Sequence, residues 1–314
     1  MDTFAAQEQD LIIVRLLGGL GNQMFQYALG RHLSLKHRRP LLLDLSAFLS
    51  ENHDPRFTAR SFGLGIFNIE KNFAGEKDMT PFKKYIKQSF YSRLIRRVNG
   101  YGKYFSRSYI FEPRGKNFIF DARLLRCPLK PVVYLDGFWQ SEKYFQDIEQ
   151  VIRKDFTFAS PPDAVNADLL QQVSSQQSVG IHIRHGDNAT KIAAGHGVLP
   201  LQYYYEAINE TTAKILKPHF YIFSDDPKWA KANLKLKYQV TYIDHNLAQK
   251  DYEDLRLMSA CKHHIIGNST FSWWAAWLGK KPGQLVFAPK RYHMKENIST
   301  KDFYPPSWQL VNVE

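Results

Sequence analysis

Three short polar clusters in the second half of the chain have the residue types and spacing to do chemistry. The first is His182, Arg184 and Asp187. Val179, Ile181 and Ile183 alternate with Gly180, His182 and Arg184, so a strand over 179–184 puts its apolar side chains on one face and the imidazole and guanidinium on the other. Polar groups at the end of a buried strand are costly unless a partner or ligand answers them. Arg184 offers a planar fork of donors that suits a phosphate, and Asp187 adds a carboxylate just past Gly186. The second cluster is Ser224, Asp225 and Asp226, and the third is Asn268, Ser269 and Thr270. Singly, each has a plain structural reading as a stray ion pair, a helix cap or a turn. Together they suit a nucleoside diphosphate. Arg184 and the amides and hydroxyls of Ser269 and Thr270 match the phosphates. Asp225 or Asp226 can accept from the N1 and N2 donors of a guanine.

A parallel sheet is what must position them. After the strand at 179–184 the pattern predicts a helix near Leu201–Ala213 and a strand at Phe220–Phe223. A helix capped by Asp226 and opened by Pro227 follows, then a strand at Val240–Ile243 and a helix at Tyr252–Ala260. His264–Ile266 reads as a strand, Phe271–Leu278 as a helix closed by Gly279, and Leu285–Ala288 as the last strand before a Pro/aromatic tail. This βαβαβ succession predicts a doubly wound domain with all three clusters on the C-terminal edge of its sheet.

The first half opens in the same way. A strand at Leu11–Leu17, a turn at Gly18–Gln23, a helix from Met24 to about Lys36 and a strand at Pro40–Asp44 make a βαβ unit. Gly19 and Gly21 supply two glycines of a dinucleotide fingerprint, but Met24 stands where the third belongs, and no Gly-Lys-Ser/Thr phosphate loop occurs. What remains is a turn whose amides, with Asn22 and Gln23, can meet an anion at a helix N-terminus. Residues 49–80 are loop-rich. Val132–Gln140 reads as a strand, and Ser141–Ile152 as a helix with Ser141 as its cap. Two prolines in Phe158–Asp163 mark a linker, which divides the chain into domains at 1–158 and 159–314.

Composition narrows the partners. The 314 residues are 44% hydrophobic and 23% charged, and Lys plus Arg exceed Asp plus Glu by 42 − 30 = 12. That excess favours an anionic partner. Phe82 to Arg107 holds eight Lys/Arg, seven aromatic residues and no acid. On a helix, Phe82, Tyr85, Ile86, Phe90, Leu94 and Val98 share one face, which fits either contact with an anionic membrane or a core-packed helix with a solvated basic side. The run matches no nucleic-acid module, so nucleic acid is not an expected partner. Cys127 and Cys261 allow one disulfide at most, which fits a reducing compartment. The polar start, with a Leu11–Leu17 run broken by Arg15, does not read as a secretory signal, and no apolar run is long enough for a membrane span. The sequons at Asn188, Asn209, Asn268 and Asn297 are then chance.

The blocks Gly18–Tyr27, His182–Asp187 and Asn268–Trp274 resemble, in order and across residues 11–290, the signature blocks of glycosyltransferase family 11, the α-1,2-fucosyltransferases. The resemblance implies a GT-B-type α/β fold, with two Rossmann-like doubly wound domains facing a cleft and the N-terminal one on the acceptor side. It implies GDP-β-L-fucose as donor, inversion to an α-1,2 linkage on a terminal β-galactoside, and no cofactor or obligatory metal. By motif, Arg184 would bind the diphosphate and assist its departure, with His182 beside it. Ser269, Thr270 and Phe271 would hold the phosphates, and Asn22 would reach the sugar–phosphate. Gly19, Gly21, Gln23, Ser224, Asp225, Asp226 and Asn268 complete the expected donor side, and His182 and Asp187 are the candidate bases. The family usually has a second arginine at His185 and often an aromatic at Asn188. Strand alternation turns residue 185 away from 184, so donor binding through Arg184 is expected to survive. The expected setting is bacterial surface-polysaccharide or O-antigen synthesis on a lipid-linked acceptor. It would take place in the cytoplasm at the inner face of the membrane, with 82–107 as the contact. The alternative is a metal-dependent nucleotide-sugar transferase of other sugar specificity, with Asp225 and Asp226 holding Mg²⁺ or Mn²⁺.

Overall fold

The computed structural model describes residues 10–49, 60–86, 108–113, 115–186, 197–246, 250–294 and 298–313. Asp187, Asn188 and residues 87–107 lie outside these. The chain forms two compact units. Among the described residues, the first unit takes those up to Phe156 together with Lys301–Phe303, and the second takes Thr157–Thr300 and those from Tyr304 onward. The sequence reading keeps all of 159–314 together, whereas Ser141 and Lys143 of the first unit bond Asp302 through its carbonyl and its carboxylate.

The first unit is built on a parallel sheet of β1 (Leu11–Arg15), β2 (Leu41–Asp44), β3 (Tyr109–Phe111) and β4 (Val132–Asp136), in the order β2-β1-β4-β3. Helix α1 (Leu20–His37) joins β1 to β2 and buries Met24, Phe25, Tyr27, Leu29 and Leu33. It begins four residues before the expected start, because Gly19 is extended and serves as its N-cap. The turn is thus reduced to Gly18–Gly19, and Gly21, Asn22 and Gln23 lie in the first helical turn. Gly18 has φ +73, and a Cβ there would lie 2.6 Å from Asn22 Nδ2, so glycine is required twice over. The other face of the sheet packs Ile13, Tyr109, Phe111 and Tyr134 against Met79 and Phe82. Phe82 stacks on Tyr134 at 5.0 Å and Tyr85 on Tyr109 at 4.6 Å, so the described start of the basic segment faces the core.

Two expectations for this unit need correction. Ser141 does cap a helical turn, but the helix expected over 141–152 is broken. Glu142–Tyr144 and Gln146–Ile148 are separate 3-10 turns, and α2 (Glu149–Asp155) follows them. The buried Phe145, at φ −143 and ψ 7, interrupts the helical path. Strand β4 ends at Asp136 rather than Gln140, because the chain turns sharply at Gly137 and Trp139 has φ 55.

The second unit starts with α3 (Ala164–Ser175), capped by Asp163, which accepts from Asn166 N at 3.1 Å. The elements then alternate as β5 (Ser178–Ile183), α4 (Leu201–Lys214), β6 (His219–Ser224), α5 (Pro227–Asn233), β7 (Gln239–Ile243) and α6 (Asp251–Ala260). They continue as β8 (His263–Ile265), α7 (Thr270–Leu278), β9 (Val286–Pro289) and β10 (Gln309–Val311). All six strands are parallel, in the order β10-β9-β8-β5-β6-β7. On one face Val179, Ile181, Ile183, Phe220 and Ile222 pack with Tyr203, Tyr204, Ala207 and Ile208 of α4. On the other face Gly180 admits α6, since a Cβ there would lie 3.2 Å from both Cys261 Sγ and Met258 Cγ. Strand β5 is therefore covered on both sides, as a central strand of a doubly wound sheet is. Cys127 and Cys261 are both free thiols. Among the described residues no helix is long and apolar enough to cross a membrane.

Candidate active site

Strand order locates the site in the second unit. The chain leaves β5 for β6 and β7 on one side, then crosses back to β8 and continues to β9 on the other. The switch point therefore lies between β5 and β8, where the loops diverge and open a crevice at the carboxyl ends of the strands. His182 and Arg184 stand at the end of β5, Gly267–Phe271 follow β8, and Ser224–Asp226 follow β6 on the far side of β5. The described members of the three expected clusters are thus brought to adjacent strand ends. Two tyrosines of α4 fasten this edge: Tyr203 donates to Ile266 O at 2.6 Å and Tyr204 to His182 O at 3.3 Å.

Arg184 is oriented by Asp225, with Nη1 3.2 Å from Oδ2, and the two side chains keep 23% and 19% of their surface exposed. The other Asp225 oxygen accepts from the amides of His185 at 2.8 Å and Gly186 at 3.1 Å. Asp225 thereby shapes the loop that carries the arginine. Asp226 caps α5 as expected, accepting from Trp229 N at 3.0 Å, and its second oxygen pairs with His185 Nδ1 at 3.1 Å. The His185 ring stacks on Trp229 at 4.0 Å. The side chains of residues 184 and 185, just past the end of β5, thus engage different aspartates. Ser224 Oγ accepts from Asp226 N at 3.0 Å. Both aspartates are engaged by donors of their own unit. Among the described residues no group of three or more His, Cys, Asp and Glu could hold a metal ion.

His182 is buried, and among the described residues its Nδ1 has no hydrogen-bond partner. Its ring lies 5.7 Å from that of Phe271, and a Cβ on Gly267 would meet His182 O at 2.9 Å and Nδ1 at 3.4 Å. Burial pushes the imidazole down to about 4, with the Arg184 charge adding to the fall and Asp225 opposing it. At neutral pH the ring is uncharged and able to accept a proton or a hydrogen bond. Ser269 is the N-cap of α7, its Oγ accepting from Phe271 N at 3.3 Å, and Thr270 is the first helical residue. The positive end of this helix faces the crevice beside Arg184 and favours an anion there. Asn268 is buried at the same edge. Its Nδ2 donates to Gly197 O at 2.9 Å and Tyr292 O at 3.1 Å, so it ties loops together beneath the edge.

The first unit presents an edge of its own at the end of β1 and β4. Asn22 Oδ1 accepts from Gln140 Nε2 at 2.8 Å. Gln23 is fully buried; its amide donates to Gly18 O and Ser61 O, and its oxygen accepts from Gly63 N. It therefore shapes the glycine loop. Gln26 bridges Leu17 N and Gly137 O in the same way. Sequence reading assigns no role to Gln140, Gln26 or the two tyrosines of α4, although Gln26 lies in the Gly18–Tyr27 block and Gln140 follows an aromatic pair at a strand end. Asp187, the second candidate base, lies outside the described residues.

Two units built on parallel sheets, one with an anion-favouring edge at its switch point, have the architecture of the GT-B fold. Solved structures with this fold include the NodZ α-1,6-fucosyltransferase soaked with GDP-fucose, at a TM-score of 0.52 and 16% identity, covering 89% of this chain and 95% of that one. An Arabidopsis thaliana FUT1 mutant in complex with GDP gives a TM-score of 0.53 at 15% identity, covering 96% of this chain and 76% of its own. Residues 74–312 match the profile of glycosyl transferase family 11, and the chain belongs to that family. An α-1,2-colitosyltransferase of Escherichia coli is 31% identical over 312 residues, 96% of this chain and 99% of its own. The O-antigen biosynthesis glycosyltransferase WbnK of Escherichia coli is 32% identical over 300 residues, 90% and 95% of the two chains.

Proposed function

We propose that this glycosyltransferase moves L-fucose from GDP-β-L-fucose to the 2-hydroxyl of a terminal β-galactoside, with inversion to an α-1,2 linkage and without a metal. The supporting observation is Arg184, set at the switch point by Asp225 beside the N-terminus of α7. As the bond between fucose C1 and the phosphate oxygen breaks, its electron pair passes to the leaving GDP. Arg184 and the positive end of the α7 dipole meet the charge that develops there. The acceptor oxygen forms its bond to C1 on the opposite face and releases its proton. A dissociative transition state asks little of a base, so a buried neutral His182 is basic enough, with Asp187 as the second candidate.

An acceptor in O-antigen synthesis, lipid-linked and elongated at the cytoplasmic face of the membrane, fits the WbnK relative and the basic run at 82–107. The colitosyltransferase relative supports a second reading of the donor. Colitose is the 3-deoxy counterpart of fucose, so the two readings differ by one hydroxyl. Turnover of GDP-fucose and GDP-colitose in competition decides between them. Preference for GDP-fucose supports the proposal, and a strong preference for the 3-deoxy donor overturns its sugar assignment while leaving the diphosphate site intact.

A further inference from the structure

In the first unit, one carboxylate holds a strained turn. Glu112 follows β3 directly, and its backbone N–H donates to Asp136 O at 2.9 Å. Its Oε2 accepts from Phe138 N at 2.8 Å and its Oε1 from Trp139 N at 3.0 Å, so successive amides are gripped by the two oxygens of one side chain. The turn needs such a grip. Trp139 has φ 55, a region that a bulky residue enters only when its surroundings impose it. Gly137 leaves no room for a side chain, since a Cβ there would lie 2.4 Å from Glu112 Cβ and 2.8 Å from the Trp139 ring.

The contacts continue from the turn. Gln26 Nε2 donates to Gly137 O at 3.0 Å, Gln140 N donates to Asn117 O at 2.9 Å, and Gln140 Nε2 donates to Asn22 Oδ1 at 2.8 Å. Asn22 in turn lies under Gly18 in the glycine loop. A glutamine at 112 could accept from only one of the two amides and would turn its NH2 toward the other. Burial, with Asp136 adding to it, pushes the Glu112 carboxyl up to about 7 against the lowering effect of the two amides. Although Glu112 as a residue is only partly buried, its carboxylate lies within the turn it binds. Acceptance from two successive amides by the two oxygens of one side chain is a geometry that a carboxylate supplies.

We propose that Glu112 is a positioning residue, which holds the turn Gly137–Gln140 so that Gln140 orients Asn22 for the transfer reaction. The role in catalysis rests on the fucosyl-transfer reading, which gives Asn22 to the donor sugar–phosphate; the role in holding the turn does not.

The test has two arms. Fragment-resolved hydrogen exchange compares the unmodified protein with Glu112→Gln over residues 16–24 and 136–141. About tenfold faster exchange in both segments is expected. A change confined to 136–141, or none, overturns the coupling to Asn22. The second arm is a cycle of Glu112→Gln and Asn22→Ala, read as kcat for GDP-fucose with lactose. Glu112→Gln should lower kcat about tenfold alone but less than about twofold in the Asn22→Ala background, because both act through one contact. Thermal protection by GDP should stay unchanged. Additive losses overturn the proposal. If the unmodified protein does not turn over GDP-fucose at all, the functional reading fails and the exchange arm alone decides the structural role. Should Glu112→Gln not fold, Glu112→Asp, which keeps the charge but shortens the reach, takes its place with the same expected losses.

Discussion

Arg184→Lys replaces a planar fork with a point charge, and the structure sets what that should cost. One arm of Arg184 lies 3.2 Å from Asp225 Oδ2, while the opposite Asp225 oxygen is occupied by two loop amides. The guanidinium can keep this partner and present donors to a phosphate in the same plane; a lysine ammonium has a single centre and must choose. Losing one charge-assisted hydrogen bond to the departing diphosphate corresponds to about 1.5–3 kcal/mol. In kcat/KM that is a fall of about 10- to 150-fold. Because Arg184 keeps 23% of its side-chain surface exposed, the folded state should lose less than about 1 kcal/mol. The assay is GDP release from GDP-fucose and lactose across donor concentrations, beside thermal unfolding of the same samples. The loss should fall on kcat, since the charge that Arg184 meets grows as the bond breaks. Near-normal kcat/KM would refute the reasoning, and a loss confined to KM would refute the leaving-group role.

Three further outcomes follow from the geometry. The imidazole of His182, depressed by burial and by Arg184, should stay neutral in nitrogen-edited NMR spectra down to about pH 5; a midpoint near the ordinary histidine value would contradict its placement. Gly267→Ala brings a methyl to 2.9 Å from the His182 carbonyl and should cost about 1–3 kcal/mol of stability, with weaker thermal protection by GDP. Unchanged protection would show that the β5–β8 crevice does not receive the diphosphate. Glu112 has its folded-state value raised from 4.5 to about 7, so its contribution is complete below pH 4.5 and declines as pH rises through about 7. Over that window Glu112→Gln should gain on the unmodified protein by up to about 3 kcal/mol, read from urea unfolding at each pH. Parallel pH profiles for the two would rule out the buried charge.

The parts of the fold legible in the sequence are those where period and punctuation agree. The alternation over 179–184 and the Asp226–Pro227 start of α5 each carry a local physical signal, and the structure places them accordingly, while the glycines before α1 mark a turn shorter than the one expected. Strands β3 and β10 have three residues each, too few to establish a period, and β10 lies inside a Pro/aromatic stretch that reads as irregular tail. The helix expected over 141–152 shows the limit of a helical pattern: burying Phe145 in the core takes its backbone off the helical path. The candidate site was legible as a set of strand ends, but not as a set of side-chain directions. Asn268 and Gln23 sit in the right blocks and yet bond the backbone of their own units, while Glu112 and Gln140 shape the edge without a motif to announce them. Hydrogen-bond direction depends on tertiary neighbours, which spacing along the chain does not encode.

The glycosidic bond that the protein makes is the most direct readout of its function. GDP-fucose and lactose are incubated with the protein in excess EDTA, and the linkage of any trisaccharide is determined. The predicted result is fucose on O2 of the galactose at an undiminished rate. Fucose at any other position, or turnover abolished by the chelator, would contradict it.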